Sequence, residues 1–250
     1  MRAETYAEIR KAIQESVPAA TATCLSGDAA GQIMFLRAPD NFDGSFGDPE
    51  LDQAVRGRLL EKIEKGGAGA EEIGGVRIFF DSFLPPPHLV VIGAVHVAIP
   101  LVSIARIMGF DTTVIDARGV FATEERFPHS DDLMEVWPDE GLAEINLHPG
   151  VAAVILAHDE KFEDPALEVL LNSEVGYIGA IGSRKTSQER LERLKARGYT
   201  NEQVARIHGP VGLNLGGRAP DEIALSIMAE IVAVRNGVDP ARALATAKSA

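Results

Sequence analysis

Apolar positions recur along this chain with two periods, one helical and one of short continuous or alternating runs, and the change from one to the other predicts its elements. Tyr6, Ile9, Ile13 and Val17 share a helical face, with Glu, Arg and Lys between them, so the chain opens on an amphipathic helix. Ala19 to Leu25 and Gln32 to Arg37 are rich in strand formers and flank the turn-like Ser26-Gly27-Asp28, which predicts a hairpin. Asp48, Pro49 and Glu50 supply a cap, a proline for the first helical position and a first-turn acid. Leu51, Val55, Leu59 and Ile63 then line one face until Gly66 and Gly67 stop the helix. After the glycine-rich stretch from Gly66 to Gly75, Val76 to Phe83 reads as a further strand.

Pro85, Pro86 and Pro87 favour a stiff extended backbone and lack N–H donors, which suits a boundary between units. Beyond them the pattern alternates. Leu89 to Ile92 is a buried-strand run, Val97 to Met108 a helix, and Thr112 to Ile115 and Val151 to Ala157 are strands. A shorter strand, Tyr177 to Ile181, precedes an amphipathic helix, Gln188 to Arg197, on which Glu189 and Arg193 have the spacing of a surface ion pair. A long apolar helix, Asp221 to Arg235, follows; Asp221 and Glu222 are first-turn acids, and Ile223, Ile227, Ile231 and Val234 form its core stripe. Short apolar runs alternating with helices predict an α/β fold: a Rossmann-like C-terminal domain (88–250) with a parallel sheet covered on both faces, preceded by a smaller α+β N-terminal domain (1–84).

With 24 Lys and Arg against 37 Asp and Glu, the formal charge of −13 repels polyanions, so nucleic acid is excluded as a general partner. The single cysteine, Cys24, rules out an intrachain disulfide and a cysteine metal cluster, and its apolar surroundings predict a small buried hydrophobe. The opening residues lack the apolar core of a leader, and no apolar run reaches membrane-spanning length. The expectation is a cytoplasmic protein without membrane attachment.

The candidate chemistry begins at Gly93-Ala94-Val95-His96-Val97-Ala98, between a strand and a helix, where a dinucleotide fingerprint would stand. Gly93 and Ala98 suit its first and third small positions. Val95 takes the second, where its isopropyl group would meet the pyrophosphate. Asp116, 23 residues after Gly93 at the end of the next strand, suits an acceptor for a ribose hydroxyl. His158 and Asp159 follow an apolar run, at the strand edge where such sheets bind ligands. Gly182-Ser183-Arg184-Lys185 lies between a strand and a helix and could cradle an anion with backbone N–H groups and a guanidinium. No G-x-S-x-G elbow and no paired metal-ligand spacing is present, so neither hydrolysis nor a protein-held metal is expected.

Several of these segments together resemble the XdhC/CoxI accessory proteins of molybdenum hydroxylases such as xanthine dehydrogenase and carbon monoxide dehydrogenase. The resemblance runs through Gly93-Ala94-Val95-His96-Val97, Val114-Ile115-Asp116-Ala117-Arg118, Ala157-His158-Asp159, Tyr177 to Lys185, Arg206 to Leu213 and Ala219 to Ala224. In the N-terminal half, Gly44-Ser45-Phe46-Gly47-Asp48-Pro49-Glu50 is similar to a degenerate form of that family's glycine-rich stretch. The resemblance implies a protein that holds a molybdopterin-type molybdenum cofactor, receives its sulfurated form and hands it to a molybdenum hydroxylase apoenzyme, with a cysteine desulfurase as a further partner. A homodimer is the expected assembly only because symmetric pairs are the commonest oligomers. Its expected cofactor contacts are Gly93, Ala94, Val95, His96, Asp116, Arg118, His158, Asp159, Gly182, Ser183 and Arg184. An NAD(P)-dependent oxidoreductase using the same crevice, and a non-catalytic interaction protein with a degenerate nucleotide site, stay open as alternatives.

Overall fold

The N-terminal hairpin becomes the middle of a sheet because β1 (Ala19–Cys24) is small-residued on both faces and accepts a helix on each. The computed structural model describes residues 3–243, and the chain divides into two compact units, one ending at Pro85 and the other beginning at Pro86. In the first unit, α1 (Ala3–Gln14) precedes β1, β2 (Ile33–Arg37) and β3 (Asn41–Asp43). Then come α2 (Pro49–Lys65), β4 (Gly69–Ile73) and β5 (Val76–Phe83). The strands form an antiparallel sheet in the order β3-β2-β1-β5-β4.

Ala20, Ala22 and Cys24 face Val55 and Leu59 of α2, while Ala19 and Phe35 face Ile9 and Ala12 of α1. Asp48 caps α2 by accepting from the N–H groups of Glu50 and Leu51. Two strands lie where only loop was expected. Of these, β4 is a polar edge strand in the glycine-rich stretch, defined by its pairing with β5, and Arg58 of α2 holds its Glu71.

In the second unit, β6 (His88–Ile92), α3 (Ala98–Ile107) and β7 (Asp111–Ile115) lead to β8 (Asp132–Met134), α4 (Pro138–Ala143) and β9 (Val151–Ile155). They are followed by α5 (Glu160–Leu171), β10 (Tyr177–Ala180), α6 (Arg184–Ala196), α7 (Asn201–Ala205), β11 (Ile207–His208) and α8 (Pro220–Arg235). All six strands are parallel, in the order β11-β10-β9-β6-β7-β8. The chain starts in the middle at β6, runs outward to β8, then returns to β9 on the other side, which is the doubly wound order.

The period-2 pleat sends Leu89 and Val91 to a core shared with α3 and α8, and Val90 and Ile92 to a core shared with α5 and α6. Each such buried aliphatic side chain contributes about 1.5 to 3 kcal/mol through removal from water. The helix after β10 starts at Arg184, a turn before the expected Gln188, so Gly182 and Ser183 form its entry. None of the described helices is long and apolar enough to cross a membrane.

Candidate functional site

Ligands of doubly wound sheets sit at the carboxyl ends of the strands, where the winding reverses. Here that point lies between β6 and β9. Gly93 leaves β6 at φ +105° and donates its N–H to Ile115 O at 2.8 Å. A Cβ on it would stand 2.8 Å from Ala157 N, so the turn tolerates no side chain. Ala94 and Ala98 are buried behind it. Val95 is half-buried and packs against the core shared by α3 and α8. His96 is exposed. Pro100 falls in the first turn of α3, where a missing N–H is harmless.

Asp116 is nearly enclosed and its carboxylate is fully engaged. It accepts from Ala94 N at 2.8 Å, from Arg118 N and Nε at 2.9 Å each, and from Arg118 Nη2 at 2.7 Å. Burial pushes its pKa up, but the bonds from Arg118 and Ala94 outweigh that and hold the carboxyl below its ordinary value. The expected ribose acceptor is therefore already committed: a sugar hydroxyl would have to displace Arg118. The guanidinium lies 4.6 Å from the ring of Phe121 and 5.6 Å from that of Phe162, close enough for cation–π attraction. Arg118, Asp116 and Phe162, together with Ile92, Gly93, Pro138 and Ala157, line a cavity of about 10 Å³, room for a single water at most.

His158 is exposed beyond β9, and Asp159 caps α5 by accepting from Lys161 N at 3.1 Å. That bond, with the Lys161 ammonium, keeps the Asp159 carboxyl below its ordinary value, and the charge also acts on Arg118. The structure thus brings Gly93, Asp116 and Arg118 to one crevice, with Ala94 bonded to Asp116 behind it and Asp159 acting on Arg118 through its charge. The remaining candidates lie beyond β10, on the same edge of the sheet. Ser183 Oγ accepts from Thr186 N at 3.1 Å, as a helix cap does; Gly182 enters the cap at φ +148°, and Arg184 is exposed at the first helical position. Lys185, rather than Arg193, pairs with Glu189, and Arg193 turns to Glu160, Glu163 and Asp164 of α5.

Sequence reasoning missed Phe121 and Phe162, whose signal as platforms is only their proximity to Arg118 once the fold is known. It also missed Glu230 of α8, which accepts from Tyr177 OH and Gly212 N and so ties β10 and the loop after β11 to that helix. In the N-terminal unit, the polar groups of the glycine-rich loop are spent on one another. Ser45 Oγ and Phe46 N donate to Asp52, and Gly47 N donates to Ser45 Oγ.

A central β6-turn-α3 unit in a parallel sheet of this order defines a Rossmann-type domain. The chain belongs to the family of the XdhC Rossmann domain, which matches residues 89–231. It is 29% identical over 219 residues to the uncharacterized protein YqeB of Escherichia coli (strain K12), covering 81% of this chain and 40% of that protein. It is 32% identical to a probable xanthine dehydrogenase subunit of Bacillus subtilis (strain 168), over 64% of this chain and 47% of the relative. It is 29% identical to the molybdenum cofactor insertion chaperone PaoD of Escherichia coli (strain K12), over 61% and 42% respectively. The matches thus span less than half the length of each of these relatives. The crystal structure of a xanthine dehydrogenase from Bacillus halodurans has the same fold, with a TM-score of 0.67 at 23% identity over 93% of this chain and 64% of that one.

Proposed function

We propose that this chain is an accessory protein that holds a molybdopterin-type cofactor during maturation of a molybdenum hydroxylase and passes it to the apoenzyme. The observation that carries this reading is membership of the XdhC family across residues 89–231, alongside one relative named a cofactor insertion chaperone and another named as part of a xanthine dehydrogenase. Redox chemistry belongs to the cofactor in its target enzyme; the task of this chain is to bind and release.

The donor set at the carboxyl edge fits a polar, anionic guest. Arg184 is exposed at the start of α6 with the first-turn N–H groups beside it, and His158 stands free at the end of β9. In this reading these groups bind and orient the cofactor, while Arg118, locked onto Asp116 and stacked on two aromatic rings, closes the neighbouring crevice. A nicotinamide nucleotide fits less well, because Asp116 is occupied and the space beside Gly93 is filled.

The test is purification from cofactor-replete and cofactor-deficient cells, followed by oxidation and fluorescence measurement of any bound pterin. The expected result is pterin approaching one per chain in the first preparation and none in the second. Its absence from both, with no effect on apoenzyme activation, would overturn the proposal. Micromolar NADPH binding abolished by Asp116→Ala would favour the oxidoreductase instead. A cysteine desulfurase as the source of the sulfur in the sulfurated cofactor belongs to the same proposal and would be retained on the immobilised chain.

A further inference from the structure

We infer that the start of α6 is a phosphate-binding site, with Ser187 and Arg190 as its buried donors and the Gly209–Pro210 turn as its cover. The helix runs for 13 residues. Of its first N–H groups, Thr186 N is taken by the Ser183 cap and Ser187 N by Ser183 O, whereas those of Arg184 and Lys185 have no protein acceptor among the described residues. A helix start alone would say little. The independent observation is inside the helix, where Ser187 and Arg190 belong to the inward-facing stripe with Leu194.

Arg190 is 1% exposed and Ser187 6%. The guanidinium donates through Nε and Nη2 to Glu163 at 2.7 and 2.8 Å, and again through Nη2 to Ile181 O at 2.8 Å. Its third nitrogen, Nη1, has no partner, and neither has Ser187 Oγ. A buried donor without an acceptor is costly, and among the described residues these two are the buried side-chain polar atoms left so.

Both orphans converge on Gly209. A Cβ there would lie 3.0 Å from Ser187 Oγ and 3.2 Å from Arg190 Nη1, so one small region is within hydrogen-bond reach of both donors and any side chain would fill it. Gly182, on the other flank, would bring a Cβ within 3.6 Å of Arg190 Nη2. The two glycines follow β11 and β10 at the carboxyl edge of the sheet, and Gly209 and Pro210 are exposed on their outer side, so lifting that turn opens the donors to solvent.

Glu163 does not cancel the attraction for an anion, because it is shared between Arg190 and Arg193. A guanidinium N–H and a hydroxyl that meet at one point, on a helix whose first two N–H groups have no acceptor among the described residues, suit the several oxygens of a phosphate. The site rests on these donors; only the naming of its source as the terminal phosphate of a pterin cofactor rests on the proposed function.

The experiment is calorimetric and thermal-shift titration of the full chain with inorganic phosphate in an uncharged buffer, with chloride of equal ionic strength as control. Wild type is expected to bind phosphate and gain thermal midpoint, while chloride does neither. Ser187→Ala removes a hydroxyl that has no partner, so the unliganded midpoint should hold or rise while phosphate affinity falls about tenfold or more. Gly209→Ala, whose backbone angle suits alanine, should lose the phosphate response altogether. No response in wild type, or unchanged binding in both variants, would overturn the inference. A phosphorylated pterin, its dephosphorylated counterpart and NADPH then distinguish the sources. If phosphate binds as described but the pterin does not, the site stands and the cofactor reading falls. If both pterins bind equally and neither variant matters, the cofactor reading stands and this site falls.

Discussion

Four donors from Ala94 and Arg118 converge on the carboxylate of Asp116, which is why it keeps its charge although nearly enclosed. Because its folded pKa is lowered, the stabilisation it provides is present above the unfolded value of about 3.9 and is lost as pH falls through the lower folded value. Asp116→Asn should therefore destabilise the protein at pH 7 by about 2 kcal/mol, a figure kept modest because Arg118 is partly exposed and screened by solvent. Urea unfolding at pH 7 and pH 3 tests this. The gap should shrink at pH 3, and an equal gap at both would contradict the assignment.

The position of Asp116 was legible from its distance to Gly93, but its partner was not: spacing tells where an acceptor stands and not which donor reaches it first. The same limit explains Glu189 and Arg193, which have ion-pair spacing yet part company because Asp164 and Glu163 on α5 offer Arg193 a more buried site. Ser187 and Arg190 carried no signal at all, since a polar residue on a polar helix reads as solvated until the neighbouring helix is placed.

Between elements, α5 and α6 are held by the pair of Glu163 and Arg190, both almost fully buried, extended outward by Arg193 and Arg197 onto Asp164. Glu163→Ala would leave the Arg190 charge buried and uncompensated, with an expected loss of about 3 to 5 kcal/mol by chemical denaturation. A loss below about 1 kcal/mol would show that water or another acceptor relieves it. The turn from β6 to α3 is equally constrained. Gly93→Ala forces a Cβ against Ala157 N at a backbone angle that alanine avoids, and a drop of about 1 to 3 kcal/mol in stability is expected from thermal and urea unfolding.

The strands β6 and β9 were legible because burial on both faces gives them long apolar runs, and β7 because its buried Thr112, Thr113, Val114 and Ile115 are β-branched strand formers. By contrast β4, β8 and β11 are short or polar edge segments defined by their partners. The helix α5 was hidden by Pro165 and by Glu163 and Asp164, acids that are buried through their arginine partners and so mask the apolar face.

At the scale of the whole molecule, the XdhC match lies in the second unit, and the strong negative charge argues for a protein or small-molecule partner over nucleic acid. The fold of that unit followed from apolar periodicity, whereas the crevice that such a fold ordinarily offers to a nucleotide is closed by side chains whose contacts no periodicity encodes. The family supports a maturation role, and in the proposed reading the cofactor meets the polar groups at the carboxyl edge beyond β9 and β10. The most direct measurement is reconstitution of a molybdenum hydroxylase apoenzyme with limiting molybdopterin-type cofactor, with and without this chain. The account predicts that the chain raises the rate and extent of activation and that pterin passes from it to the enzyme. Activation that is identical without it, and no pterin carried by the chain, would contradict the account.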